Sequence, residues 1–137
     1  MKEKFNEATT QRPEGERTVD AEMVVIDLPQ FIKQIREETT WKESDRNAIT
    51  VFKTNGLRIV LIALHKGAEM VKHIAKGTIS VQVLEGQLQF NIDMESIELN
   101  KGQMLALHER IPHSVLAITE SVFLLTLTTK LEEAGIY

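Results

Sequence analysis

The chain has 137 residues and no cysteine, with 16 Lys plus Arg against 20 Asp plus Glu and a formal net charge of -4. That length suits one domain around a single core, and without thiols there is neither a disulfide framework nor a thiolate metal site nor a cysteine nucleophile. The basic residues are scattered rather than gathered into a stripe, which argues against nucleic acid as a partner, and no apolar run is long enough to cross a membrane.

Residues 1–20 are rich in Glu, Lys, Arg, Thr and Gln. Such a composition cannot bury enough apolar area to offset the entropy of ordering, so the segment reads as a flexible N-terminal arm ahead of one domain over residues 21–130. It also holds no secretory apolar core, and a cytoplasmic protein is expected. Met23 to Ile26 is a short apolar run with strand character. Asp27 followed three positions later by Gln30 has the form of a helix start, and Pro29 is tolerated in a first turn. Phe31, Ile32 and Ile35 then share one helical face while Lys33, Arg36 and Glu37 share the other, which predicts a short amphipathic helix ending near Glu38.

From Ala48 the period shortens to two. Ile49 and Val51 flank Thr50, and Asn55-Gly56 is a tight-hairpin signal because both residues tolerate positive φ. Strands are predicted over Arg58 to Leu64, Ile79 to Leu84, Leu88 to Ile92, Ile97 to Leu99, Met104 to Leu107, Ser114 to Ile118 and Val122 to Leu127. Turn signals separate them, including Lys66-Gly67, Glu85-Gly86, Asn100-Lys101-Gly102 and Ile111-Pro112. Many short strands at this spacing predict an all-β sandwich or barrel.

Ile79, Val81 and Val83 alternate with polar neighbours and should face an interior shared with Leu88 and Phe90. Arg58 to Leu64 and Val122 to Leu127 are apolar at nearly every position, so both faces of these strands need cover. The helix is one candidate cover and a second subunit the other, which is the basis for expecting a homodimer.

Two sets of spacings stand out. The first is Gly67, His73, Ala75, Ile79, Gly86, and the second is Gly102, His108, Arg110, His113, Ala117. With Val83-Leu84-Glu85-Gly86 and Ile111-Pro112-His113, they resemble the two sequence motifs of the cupin superfamily, and the resemblance covers about Leu57 to Leu127. It implies a cupin-type double-stranded β-helix, the RmlC-like jelly-roll barrel, preceded here by a short helix. In metal-binding members three imidazoles and a carboxylate converge inside the barrel on a transition metal. Two matching positions carry His73 and His113, but the other two carry Ala75 and Ile79, which offer no ligand. The resemblance therefore implies a pocket lined by His73, Ala75, Ile79, Val81, Phe90, His108 and His113. Its metal ligands reduce to His73 and His113, short of the three protein ligands such ions require whether the metal is Zn, Ni, Fe or Mn.

His108, beside the turn that leads to His113, is one candidate for an irregular third ligand. Glu69 is another, because it shares strand parity with Val71 and His73. His65 reads as a hydrogen-bonded structural histidine, Met70, Met94 and Met104 as core or pocket filler, Trp41 and Phe31 as packing anchors, and Glu95, Glu98 and Lys101 as a solvated hairpin surface. The function expected is the binding of a small molecule whose identity the residues do not specify. The alternative is a metal-dependent enzyme of dioxygenase or isomerase type using His73, His113 and an irregular third ligand. Metal-free acid/base catalysis of the epimerase kind is disfavoured, since the only tyrosine is Tyr137.

Overall fold

The computed structural model describes residues 4–6 and 17–129. Within them, strands β1 (Lys4–Asn6) and β2 (Arg17–Asp20) precede helices α1 (Leu28–Glu37) and α2 (Thr39–Glu43). Nine strands follow: β3 (Arg46–Thr54), β4 (Leu57–Leu64), β5 (Glu69–His73), β6 (Ile79–Glu85), β7 (Gln87–Ile92), β8 (Glu95–Asn100), β9 (Met104–Leu107), β10 (His113–Ala117) and β11 (Ser121–Thr128). The expected all-β jelly roll is present. One antiparallel sheet has the order β5-β10-β7-β8 and a second the order β3-β4-β11-β6-β9.

The inward faces of these two sheets enclose the main core. Ile79, Val81 and Val83 of β6 meet Leu88 and Phe90 of β7, Leu99 of β8 and Val115 of β10, with Val60, Ile62 and Phe123 closing the far side. Period-two alternation places these residues, since each strand presents every second side chain to the interior. Three glycines of the motif-like spacings, Gly67, Gly86 and Gly102, all take positive φ, between 85° and 89°. Side chains with a Cβ rarely adopt that conformation, so the turns joining the strands at these points are set by glycine.

The doubly apolar strands find their outer cover within the chain. Leu61 and Ala63 of β4 and Val122 of β11 point away from the barrel interior and pack with Ile49 and Val51 of β3 under Ile35 of α1 and Trp41 of α2. Phe31 and Ile32 extend that cover. The helix forms where its signals predict: the Asp27 side chain accepts a hydrogen bond from the Gln30 amide at 3.2 Å, and Pro29 sits in the first turn. Asn47 then ties helix to sheet, donating to the Ile35 carbonyl at 3.0 Å and to Glu38 at 2.9 Å. An unmet need for cover on these strands therefore no longer argues for a second subunit.

Four sequence expectations change. Within the expected arm, Lys4–Asn6 and Arg17–Asp20 pair as antiparallel strands, and Val19 and Asp20 are buried. Main-chain pairing makes no demand on composition, which is why a polar segment can contain it. Met23 to Ile26 does not form a strand; it crosses as irregular chain to α1, with Met23 and Val25 exposed. Met94 and Met104 are exposed rather than filling the core, because they lie at the β7–β8 turn and on the outward parity of β9, whereas Met70 does pack against the core.

Candidate functional site

The site begins with an irregularity in β5. His73 pairs with His113, but the next registered pair joins Met70 to Val115, so three steps on β5 match two on β10. This extra residue is a β-bulge, and it reverses side-chain parity along β5. His73 and Met70 therefore face the interior together, while Glu69 turns out to solvent. The parity argument that brought Glu69 inward fails at the bulge, so Glu69 does not supply a third ligand.

The rings of His73 and His113 meet edge to face with centroids 4.3 Å apart, bringing together the two motif histidines as expected. Each Nδ1 lies 2.8 Å from the carbonyl oxygen two residues back, that of Val71 for His73 and that of Ile111 for His113. A carbonyl only accepts, so in both rings Nδ1 carries the proton and donates it. Nε2 is left as the open nitrogen, and among the described residues it has no hydrogen-bond partner in either ring. His113 is buried and stacks on Phe90 with centroids 5.5 Å apart and planes inclined by 11°. Burial lowers its pKa from the usual imidazole value; the hydrogen bond to Ile111 opposes that shift, and the neighbouring His73 adds to it. At neutral pH His113 is an uncharged imidazole offering a lone pair.

Strand register carries this pair into a longer row. His73 stands opposite His113, His113 opposite Ile92, and Ile92 opposite Glu95, across β5, β10, β7 and β8. Residues directly opposed in an antiparallel ladder share a face, so the row runs imidazole, imidazole, branched apolar sec-butyl side chain, carboxylate. The row beneath is wholly apolar: Met70, Val115, Phe90 and Ile97. Facing them across the barrel, Ile79 pairs with Leu107 and Leu127, and Val81 with Leu105 and Leu125.

Where β8 and β9, the edges of the two sheets, come near each other, a cleft of about 170 Å³ opens, lined by Phe90, Ile92, Glu95, Ile97, Leu105, Ala106 and Leu107. His113 adjoins it through its stacked neighbour Phe90 and its cross-strand neighbour Ile92. Of the residues expected in the pocket, Phe90 lines this cleft, Ile79 and Val81 are buried in the core behind it, and Ala75 packs against that core half-buried. His108 is exposed in the turn after β9. Sequence reasoning missed Ile92, which continues the parity of Leu88 and Phe90 on β7, and Leu105 and Leu107, which alternate with Met104 and Ala106 on β9. It also placed Glu95 on a plain surface, where the structure sets it on the lip of the cleft.

The fit of a metal can be tested on the donor set. Among the described residues no group of three His, Asp or Glu gathers where it could hold an ion. His65 is engaged elsewhere: it stacks on Trp41 at 3.4 Å and donates from Nε2 to the Trp41 carbonyl at 2.9 Å, the structural role expected of it. Two Nε2 atoms are the whole set at the motif positions, and they do not make the three-ligand site that a tightly held transition metal requires.

No protein-family model matches the chain, and no curated protein matches it significantly. Solved structures do. A conserved protein of unknown function from Streptococcus pyogenes is 25% identical with a TM-score of 0.62, covering 82% of this chain and 92% of its own. A cupin-2 domain protein from Shewanella frigidimarina is 18% identical with a TM-score of 0.63, covering 77% of this chain and 95% of its own. A variant of salicylate 1,2-dioxygenase from Pseudoaminobacter salicylatoxidans, solved with gentisate, is 23% identical with a TM-score of 0.58; the match covers 66% of this chain and 27% of that one. The fold is that of a cupin-type jelly-roll barrel, similar to these solved structures, with the two motif histidines paired inside it. Solved structures of this shape include an enzyme and a protein of unknown function alike, so the barrel by itself assigns no chemistry.

Proposed function

We propose that the chain is a small-molecule-binding cupin in which His113 and the cleft beside it hold the ligand. The observation that carries this reading is the buried, neutral imidazole of His113, locked by the Ile111 carbonyl and stacked on Phe90 beside an apolar cleft. A ligand site needs few polar groups if they are well oriented and the rest of the wall excludes water. Phe90, Ile92, Ile97, Leu105 and Leu107 supply the wall, and Nε2 of His113 supplies an oriented acceptor.

The alternative of a metal-dependent enzyme lacks support in the donor set, since neither His108 nor Glu69 joins His73 and His113. A homodimer stays within the proposal on different ground from the strand faces. Val71 and Ile74 are exposed at β5, the edge strand of its sheet, and unpaired edges are templates for association.

The test is a screen of small aromatic and aliphatic fragments, read by amide resonances of the labelled protein. The expected result is shifts clustered at Phe90, Ile92, Leu105, Leu107 and His113, weakened in His113→Ala. A screen with no perturbation at these residues overturns the reading.

A further inference from the structure

The one polar side chain lining the cleft, that of Glu95, is an anionic hydrogen-bond acceptor. Glu95 is the only ionisable group lining it, and no Lys, Arg, Ser, Thr, Asn or Gln contributes to the wall. Among the described residues, the Glu95 carboxylate makes no ion pair or hydrogen bond. The acidic residue nearest in sequence, Asp93, is satisfied by contrast: Lys72 donates to it at 2.6 Å. At the other end of the row stand the Nε2 lone pairs of His113 and His73, both acceptors in the tautomer that their backbone carbonyls impose. Two strand spacings separate His113 from Glu95, roughly 10 Å between their backbones, with Ile92 between them and Phe90 and Ile97 below.

We infer that the cleft selects an apolar-bodied organic cation: an amine whose ammonium group lies at Glu95 and whose hydroxyl or N–H donates to Nε2 of His113. This inference rests on the small-molecule reading above and adds its charge and polarity. A ligand that displaces water from the Glu95 carboxylate and the adjoining His113 Nε2 must bring donors to both, and a carboxylate without a cation favours a positive charge while repelling a second carboxylate. An anionic aromatic acid would set its own carboxylate against Glu95.

Three probes of similar shape isolate the charge: tyramine, p-cresol and 4-hydroxyphenylacetate share a phenol and carry a cationic, neutral and anionic para substituent. Their affinities are measured by calorimetry and amide shifts on the full chain. Tyramine should bind about tenfold more tightly than 4-hydroxyphenylacetate, attraction and repulsion at a partly exposed carboxylate each giving a few-fold. Added salt should narrow that ratio, and Glu95→Gln, at an exposed position, should bring it to about twofold or less. Equal affinities, or tighter binding of the anion or the neutral probe, would overturn the cation assignment and leave the small-molecule reading standing. If no probe and no member of the wider fragment screen perturbs the cleft, both fall together.

Discussion

His73 and His113 stand directly opposite each other on β5 and β10 with their rings in contact, yet only His113 is sheltered, at 3% exposure, while His73 lies open. The pair is thus one fixed, desolvated imidazole with a solvated neighbour at its edge. That asymmetry follows from the strands. β10 lies between β5 and β7, whereas β5 is an edge.

The depressed pKa of His113 makes stability depend on pH with a definite sign. Its folded value lies below the ordinary 6.5. Above pH 6.5 both states are neutral and the contribution is fully present. As pH falls from 6.5 towards the folded value, the unfolded chain takes up a proton that the folded one refuses, and stability is lost. Melting temperatures between pH 7.5 and 5 should fall less steeply in His113→Gln than in the unaltered protein. Identical slopes would remove His113 as the source.

The three motif glycines, Gly67, Gly86 and Gly102, all at positive φ, should not respond alike to alanine. At Gly67 and Gly102 an added Cβ meets nothing within 4 Å, so each substitution carries backbone strain alone, about 1–2 kcal/mol. At Gly86 the Cβ would run into the Glu120 carbonyl oxygen and Ser121, whose hydroxyl also accepts from the Gln87 amide. Gly86→Ala should therefore cost clearly more than either of the others. Urea denaturation of the three variants gives the order, and equal losses would show that the turn yields easily.

Cover of the outer sheet face by α1 and α2 predicts a large penalty for opening it. Ile35 is fully buried against β3, β4 and β11. Ile35→Ala should cost about 2–5 kcal/mol through lost burial and a residual cavity. An effect under about 1 kcal/mol would mean that the helix contributes little to holding the barrel. Light scattering on the same sample tests the dimer: a dimer that survives Ile35→Ala but is lost in Val71→Asp with Ile74→Asp places the interface at the β5 edge.

Metal affinity should follow the donor count. Chelator should leave the melting temperature of the natural sequence unchanged, whereas a tightly bound ion at a thousandfold excess over Kd would contribute roughly 4 kcal/mol. Ala75→His combined with Ile79→Glu should create stoichiometric Zn binding, since Ile79 lies in the layer that pairs with Leu107 and Leu127. A large chelator shift in the natural protein would instead reveal a third ligand.

The barrel, its inward-facing residues on β6 and β7, the capped helix, the glycine turns and the convergence of His73 with His113 were all legible in the residues and their spacing. These depend on local rules, namely two-residue alternation, a capping side chain and the freedom of glycine at positive φ, reinforced by motif spacings that resemble those of cupins. What surrounds the histidines became legible in the folded chain alone. The bulge in β5 inverted the strand parity that would have brought Glu69 inward, and a bulge is an event between two strands that neither strand records alone. Glu95 reached the row of His73 and His113 through three successive strand pairings, a relation between residues 18 and 20 or more positions apart. The cover over β4 and β11 was a choice between a helix and a second subunit until packing placed Ile35 and Trp41 on it. Periodicity says which face of a strand is apolar; only the assembled chain says what lies against that face.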